Sequence, residues 1–426
     1  MKTGRCQPLQ QRWQATVKAQ GNRVAMSNPA EGWSLTFAEL DAAARALPRC
    51  GAALPAAGKG LPFLLDVLRA WRDDAVLLPL DSGSALPDLR EGNWPDHVCH
   101  IKTTSGSTGT PRQVWFTAHQ LAADAAHIVQ TMGLRPDWPN VAVIPMAHSY
   151  GFSNLVLPLL LYGIPLILAE SPLPEALRAV LASGPAFTLP AVPAMWRAWH
   201  AAGLIGPRIQ LAISAGAPLP ITLETAVFAA SGVKLHNFYG SSECGGIAYD
   251  ATAVPRPDGH YTGTPLCGVT VAVDPASGCL SVSSPAVGLG YAVPEPSLQH
   301  GMFLTTDHVR LEAGGLWLEG RHSDAINIAG RKISPSVIED QLLALPGVRH
   351  CVVFGIPSRD AARVEEIAAC LNLMEGTRLE DVQSASAHHL PPTGQPRHWR
   401  ICQDLEPDAR GKISRASWRE RWARLP

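Results

Sequence analysis

The chain has 426 residues, long enough for one large domain with a smaller one appended. Its 35 Lys+Arg balance 36 Asp+Glu, which leaves no net field to draw it onto nucleic acid or an anionic membrane. Hydrophobic residues make up 46% and charged residues only 17%, a composition that excludes disorder for the bulk of the chain.

From the N-terminus, Met1–Trp13 carries Lys2, Arg5 and Arg12 with no apolar core, so no secretory leader is expected and the protein is read as cytoplasmic. The nine cysteines form no CxxC pair, and they are read as thiols in a reducing compartment. Strand-like apolar runs occur at His97–Lys102, Val141–Pro145, Ile209–Ile213 and Lys234–His236. A helix is predicted over Thr117–Met132, with Thr117 as cap, Leu121, Ala125, Ile128 and Met132 on one face, and Gly133 as the stop. Leu155–Leu168 is too short and too interrupted by Pro158, Gly163 and Pro165 to span a bilayer, and reads as a core helix followed by a buried strand.

Strands alternating with helices predict an α/β architecture with a largely parallel sheet. Each strand runs into a polar or Gly-rich cluster: Thr103–Gly109, His148–Gly151, Ser214–Pro218 and Asn237–Glu243. Ligands of open α/β sheets bind at the carboxyl ends of the strands, so the four clusters predict one shared site. After Gly320 the pattern changes. A short helix is predicted with Ser334 as cap, Pro335 at its first position and Ile338, Leu342 and Leu345 on one face, and strands follow at Cys351–Ile356 and Ile367–Leu373. Ser384–Pro396 is the most loop-like stretch. A boundary near Arg321 gives domains of 1–320 and 321–426.

Thr103-Thr104-Ser105-Gly106-Ser107-Thr108-Gly109-Thr110-Pro111-Arg112 offers hydroxyls, backbone N–H groups and a cation in one strand-to-helix connection, a composition suited to phosphate oxygens. It is not a Walker loop, because the GK[ST] signature is absent. The segment resembles the phosphate loop of the adenylate-forming (AMP-binding) ligase superfamily of acyl-CoA synthetases, aryl-CoA ligases and adenylation domains. Further matches follow in that family's order: Leu35–Leu40, Leu78–Asp81, Pro145–Gly151, Ser214–Leu219, Tyr239–Glu243, Thr305–Asp307, Gly320-Arg321 with Asp324, Gly330–Ile333 with Pro335 and Glu339, and Gly411–Arg415.

The resemblance implies a large N-terminal domain of layered sheets and helices with a smaller mobile α+β C-terminal domain. It implies ATP-dependent activation of a carboxylic acid as an acyl or aryl adenylate, with pyrophosphate leaving, then transfer to the thiol of CoA or phosphopantetheine. Thr104, Ser105, Gly106, Ser107, Thr108, Gly109 and Arg112 would face the β- and γ-phosphates. Gly216, Ala217 and Pro218, with Tyr239, would enclose adenine, Asn237, Gly240 and Ser241 would also contact the nucleotide, and Ser242 would donate to the α-phosphate. Glu243 would hold Mg²⁺, Asp307 and Arg321 the ribose, and Lys412 would bridge carboxylate and α-phosphate as charge develops. His148, Tyr150 and Gly240 would border the acid, and Asn327, Gly330 and Lys332 would serve the thiol step after the C-terminal domain rotates.

No Asp stands in this region to pair with a substrate ammonium, which disfavours an amino acid, and Tyr150, Phe152, Leu189, Val192 and Trp196 are candidates to line an apolar or aromatic acid pocket. Arg112 replaces the usual Lys, Thr306 a usual Gly, Ser323 the usual hinge Asp or Lys, and Glu406 a frequent Pro. The first part of the large domain is short for the family, a gap that a partner or a second copy of the chain, as a homodimer, would cover. Alternatives are a ligase that loads an acyl carrier protein and a non-catalytic nucleotide-binding regulator. A serine hydrolase is excluded because Gly240-Ser241-Ser242-Glu243-Cys244 lacks the second Gly of its motif.

Overall fold

The computed structural model describes residues 4–80, 94–104, 112–184, 186–321, 324, 326–328, 331–358, 364–407 and 413–424, with the backbone alone for Arg321, Arg331 and Lys332. Ser105–Gly109, Gly330 and Lys412 lie outside the described residues.

Two sheets build the larger part. The first has 14 strands. Its centre runs parallel through Leu235–Ser241, Ile209–Ser214, Phe187–Ala191, Asn140–Ala142 and Leu166–Leu168. From Gly245 onward the chain adds antiparallel strands, among them Gly245–Tyr249, Tyr261–Pro265, Met302–Glu312 and Gly315–Arg321. The sheet is therefore parallel through its centre only, with antiparallel strands from Gly245 onward and an antiparallel edge pair, Val24–Asn28 with Trp33–Thr36, at the other end. Hairpin returns such as the one at Ala313-Gly314, where both residues have positive φ, need no crossover helix, so the alternation of strand and helix stops where the antiparallel half begins. The second sheet has five strands in the order Gly290–Tyr291, Arg112–Thr117, Val98–Thr104, Val76–Leu80 and Ala53–Ala57.

The predicted helix is present as Ala118–Met132. Thr117 and Gln120 form a reciprocal capping box, and Gly133 ends the helix at φ 64° in the left-handed region. Its apolar face, Leu121, Ala125 and Ile128, is buried in the main core with Phe63, Phe116, Phe152 and Trp196. Burying each leucine, isoleucine or phenylalanine side chain of this set is worth about 1.5–3 kcal/mol. Leu155–Leu168 forms the expected core helix and strand: a π-turn over Phe152–Val156, a helix over Leu157–Tyr162 and the strand Leu166–Leu168. Among the described residues, no helix is long and apolar enough to cross a membrane.

Beyond Arg321 the core divides. A three-stranded sheet, Val348–Pro357, Glu365–Leu373 and His398–Ile401, has its own apolar clusters, one around Ile338, Leu342 and Val353 and another around Phe354, Cys370 and Trp418. Ser334 stands at the N-cap of the helix Pro335–Leu343, but its hydroxyl is paired with Ser336 at 2.8 Å and makes no cap hydrogen bond. The stretch expected to be loop-like is helical up to His389, within Leu379–His389. Only Val382 and Ser386 of that helix are buried, so its apolar signal is too thin to register as a period.

One ion pair secures the N-terminal layer. Arg72 grips Asp73 with two hydrogen bonds, Nε to Oδ1 at 2.8 Å and Nη2 to Oδ2 at 2.7 Å, while its Nη1 donates to the carbonyls of Ala44 and Leu47 at the end of the helix Phe37–Ala46. Asp73 also accepts from the Cys50 N–H at 2.9 Å. The Arg72 hydrogen bonds hold the Asp73 carboxyl well below the usual range. A depressed carboxyl contributes stability that is present above its unfolded value of about 3.9 and is lost as pH falls through the folded value. Asp73→Asn is expected to cost about 2 kcal/mol at pH 7, measured by thermal or urea unfolding. The gap to the unaltered protein should close as the pH is taken below about 4.

Candidate active site

Three of the four polar clusters are described throughout, and they meet at the carboxyl ends of the parallel strands. Ser214 and Asn237 are cross-strand partners at the ends of Ile209–Ser214 and Leu235–Ser241. Gly216, Ala217 and Pro218 follow the first of these strands, with Gly216 and Pro218 exposed at the lip. The Ala215 N–H donates to the Ala191 carbonyl at 3.1 Å, which fixes the departure of this turn from the sheet. Asn237 accepts from the Asp250 N–H at 2.9 Å.

Tyr239 reaches sideways, its hydroxyl donating to Asp307 Oδ2 at 2.5 Å. Asp307 takes a second orientation from its own N–H, which donates to Thr305 Oγ1 at 3.0 Å, and it pairs across the hairpin with Arg321. The pair that resembles a ribose site is thus brought to the edge of the Tyr239 ring. Of Arg321, the backbone position alone is established.

Gly240 and Ser241 end the strand Leu235–Ser241, and Ser242, Glu243 and Cys244 make the turn into the strand Gly245–Tyr249. Ser241 Oγ accepts from the Glu243 N–H at 3.2 Å and contacts Cys244 Sγ at 3.3 Å. Burial pushes that thiol up to about 12, so Cys244 stays protonated and is no nucleophile. Ser242 Oγ accepts from Ser149 Oγ at 3.1 Å, which links the turn to the His148–Gly151 cluster. Tyr150 Oη lies 3.4 Å from the carbonyls of Ala191 and Ile213, and its ring is 6.0 Å from that of Phe238. A side chain at Gly151 would meet the Pro145 carbonyl oxygen at 2.0 Å, so the tight approach that presents His148, Ser149 and Tyr150 to the site requires glycine there. Of the apolar pocket candidates, Val192 stands beside Gly216, whereas Phe152, Leu189 and Trp196 are wholly buried. Phe152 packs on His100 and Phe63, and Trp196 on Trp199, so these serve the core.

At the phosphate-loop motif the strands Val98–Thr104 and Arg112–Thr117 pair antiparallel, with Thr104 opposite Arg112, so both ends of the motif are fixed at one point. Thr104 Oγ1 is buried and has no hydrogen-bond partner among the described residues. The Arg112 guanidinium lies 4.4 Å over the Tyr291 ring, donates through Nη1 to Glu295 Oε2 at 2.7 Å, and places Nη2 3.9 Å from Glu243 Oε1. Tyr291 donates its hydroxyl to that same Glu243 oxygen at 3.0 Å. Burial, with the Glu243 carboxylate beside it, drives the Tyr291 phenol far up, so it remains a donor across the working pH range.

Glu243 has the donor chemistry for a hard divalent ion. Its side chain is 10% exposed, and its two oxygens offer more lone pairs than the Tyr291 hydrogen bond uses. Among the described residues no three His, Cys, Asp or Glu side chains cluster as a metal cage, so an ion at Glu243 would draw its remaining ligands from phosphate oxygens and water.

Asn327 lies on the short strand Ile326–Ile328, paired with Lys332, and its N–H donates to Glu365 Oε2 at 2.7 Å. Three residues beyond Lys412, Arg415 is anchored by Glu339 Oε2 at 2.7 Å, the Val353 carbonyl at 2.8 Å and Asp324.

Sequence reasoning missed Tyr291, Glu295 and Lys102, and it placed Ser149 in the His148–Gly151 cluster without a role of its own. Lys102 is buried, with Nζ 4.5 Å from the centre of the Phe116 ring, and burial pulls its amine down against the opposing pull of Asp124 and Glu243. Tyr291 and Glu295 meet partners 48 and 183 residues away, so no local spacing exposes them.

The model of the AMP-binding enzyme family matches residues 65–292, just over half of the chain. The relative named "Probable 2-succinylbenzoate--CoA ligase" from Mycobacterium tuberculosis is 30% identical over 387 residues, covering 85% of this chain and 95% of that protein. A feruloyl-CoA synthase from an Amycolatopsis species is 29% identical over 292 residues, covering 64% of this chain and 58% of that protein. Among solved structures, ATP-bound MatB from Rhodopseudomonas palustris aligns with a TM-score of 0.84 at 20% identity, covering 97% of this chain and 99% of that one. The Bacillus subtilis o-succinylbenzoate CoA synthetase MenE, bound to its acyl-adenylate OSB-AMP, aligns at 0.81 with 19% identity, covering 96% and 97%. The structural likenesses establish the fold; the family match and the relative similar over most of both lengths establish that this chain belongs to the AMP-binding enzyme family, as an adenylate-forming ligase of the acid–thiol type.

Proposed function

We propose that the enzyme uses ATP to activate an aromatic carboxylic acid as its adenylate, releasing pyrophosphate, and then passes the acyl group to the thiol of CoA. The observation that carries this reading is the run Tyr239–Glu243. Within five consecutive residues Tyr239 reaches Asp307, Ser242 reaches Ser149, and Glu243 reaches Tyr291 and stands beside Arg112. Ribose, acid and phosphate ends of one substrate complex would therefore be set by a single rigid turn at the sheet edge.

In this assignment the adenine rests against Gly216, Ala217, Pro218 and Tyr239, bounded by Asn237 and Gly240, and Asp307 with Arg321 takes the ribose hydroxyls. Thr104, Ser105–Gly109 and Arg112 face the β- and γ-phosphates, and the buried Thr104 hydroxyl, without a partner among the described residues, is a donor available to an acceptor. Ser242 donates to the α-phosphate. Glu243 would hold Mg²⁺, which when bound neutralises phosphate charge. Lys412 neutralises the charge that develops as the carboxylate oxygen bonds to the α-phosphorus and the bond to pyrophosphate breaks. The acid enters beside His148, Tyr150 and Gly240.

In the second step the thiol attacks the acyl carbon, its proton passes to solvent, and AMP leaves. Asn327, Gly330 and Lys332 are assigned to that step, on a C-terminal domain of 321–426 that turns about a hinge near Arg321. The separate apolar cores on either side of this point support such a hinge. Work in the cytoplasm, where CoA and ATP are available, completes the reading.

An aromatic acid is favoured because the relatives at 30% and 29% identity are named for 2-succinylbenzoate and ferulate. ATP–pyrophosphate exchange across benzoates, cinnamates and short and long fatty acids should show exchange with the aromatic acids first. Thioester should then form with CoA. Product only with a phosphopantetheinylated carrier protein would reassign the acceptor, and no exchange with any acid while AMP still binds would overturn the reading.

A further inference from the structure

The residues around Arg112 hold two carboxylates against one guanidinium: Glu295 at 2.7 Å and Glu243 at 3.9 Å. Glu243 has a second partner in Tyr291, whereas Glu295 lies in no strand or helix and its carboxylate, besides Arg112, accepts among the described residues only from the Ser297 hydroxyl at 3.5 Å. Its reach to Arg112 is nevertheless set by backbone pairing. Leu289 N–H donates to the Trp115 carbonyl at 2.8 Å, Ala292 N–H to the Gln113 carbonyl at 2.9 Å, and Gly288 N–H to the Glu243 carbonyl at 2.7 Å. A side chain at Gly288 would meet Val114 Cγ1 at 2.7 Å, so residues 288–292 lie flush on the strand that begins with Arg112 and carry Glu295 to its guanidinium.

A guanidinium fork accepts a carboxylate and a phosphate in the same geometry. We propose that Glu295 is a built-in stand-in for the polyphosphate of the nucleotide: it occupies Arg112 when the site is empty, has to be displaced by the terminal phosphates of ATP, and returns as pyrophosphate leaves. The inference rests on the reading that this site takes ATP. The pair suits exchange. Its side chains are 34% and 38% exposed, so it is cheap to break, and the Tyr291 ring beneath keeps the guanidinium in place while its partner changes. Glu295 would thus lower affinity for ATP and pyrophosphate alike and speed product release, while the adenine and ribose contacts stay untouched.

Titration calorimetry with MgATP, magnesium pyrophosphate and AMP on the full chain tests this. Glu295→Gln, on an exposed turn, should bind MgATP and pyrophosphate about threefold to fivefold more tightly and AMP unchanged. In an Arg112→Ala background the same substitution should have no effect on any of the three. Weaker MgATP binding in Glu295→Gln would show that Glu295 orients Arg112 for the phosphates and would overturn the proposal, as would three unchanged affinities. If the unaltered enzyme bound neither ATP nor AMP, the functional reading would fall and this inference with it. Normal ATP binding with no gain in Glu295→Gln would sink this inference alone.

Discussion

Lys412→Ala is expected to slow acid-dependent adenylate formation about a thousandfold while changing the affinity for ATP no more than a few-fold. The asymmetry follows from where charge appears. In the proposed reading the ground-state phosphates already have Arg112 as a cation, held 4.4 Å over the Tyr291 ring. Joining an acid carboxylate to the α-phosphate adds negative charge at the bridging oxygens, and Lys412 is the cation proposed to meet it there. Two unit charges about 4 Å apart at an effective dielectric of about 20 interact by about 4 kcal/mol, and about 1.4 kcal/mol is a factor of ten in rate. A cation brought there only in the transition state therefore acts on kcat and hardly on nucleotide binding. The segment after Lys412 has the anchoring such a role needs, since Arg415 is tied to Glu339, Asp324 and the Val353 carbonyl. Pyrophosphate exchange set beside ATP calorimetry checks it. A parallel loss in both, or a loss in neither, would show Lys412 to be a solvated lysine of a basic tail.

What the sequence disclosed, and what it hid, divides along contact range. The helix Ala118–Met132 was legible because its cap, apolar face and stop are all local. The Tyr239–Glu243 turn was legible because its chemistry is packed into consecutive residues. The second half of the large sheet was not, because antiparallel strands from Gly245 on follow one another without helices and their short, part-exposed runs, such as the fully or partly exposed Thr270–Val273, carry no apolar alternation. The helix Leu379–His389 was hidden by its composition: Ser384, Ser386, His388 and His389 are ordinary loop residues, and two buried positions sufficed to fold it against the C-terminal core. The parts of the site that tune charge, Tyr291, Glu295 and Lys102, became visible only when the second sheet set them beside Glu243 and Arg112.

Behind the turn proposed to face adenine lies a buried charge cluster with no local signature in the sequence, and Lys234→Met there is expected to cost about 3–5 kcal/mol of stability. Lys234, Glu224, Asp250 and Arg256 are all buried, with side-chain exposures of 6%, 0%, 0% and 0%. The Lys234 ammonium spends its three protons on Glu224, on Asp250 Oδ2 at 2.5 Å and on the Leu235 carbonyl at 2.7 Å. Arg256 donates to Glu224 Oε2 at 2.7 Å, to the Tyr261 carbonyl at 2.7 Å and to the Leu219 carbonyl at 2.6 Å. Two cations and two anions are neutral together, but deleting Lys234 strands Asp250 without its counter-ion in a site that water does not reach. Because Arg256 holds the Leu219 carbonyl and the Asp250 N–H holds Asn237, the damage should extend to the turn that would face adenine. ATP affinity should therefore fall along with unfolding stability, and the added Asp250→Asn substitution should recover part of the loss by removing the stranded charge. Thermal and urea unfolding of the single and double variants measure this. A Lys234→Met protein within about 1 kcal/mol of the original would mean that water or relaxation already shields the cluster, and that the turn at Ser214–Pro218 is held by the sheet alone.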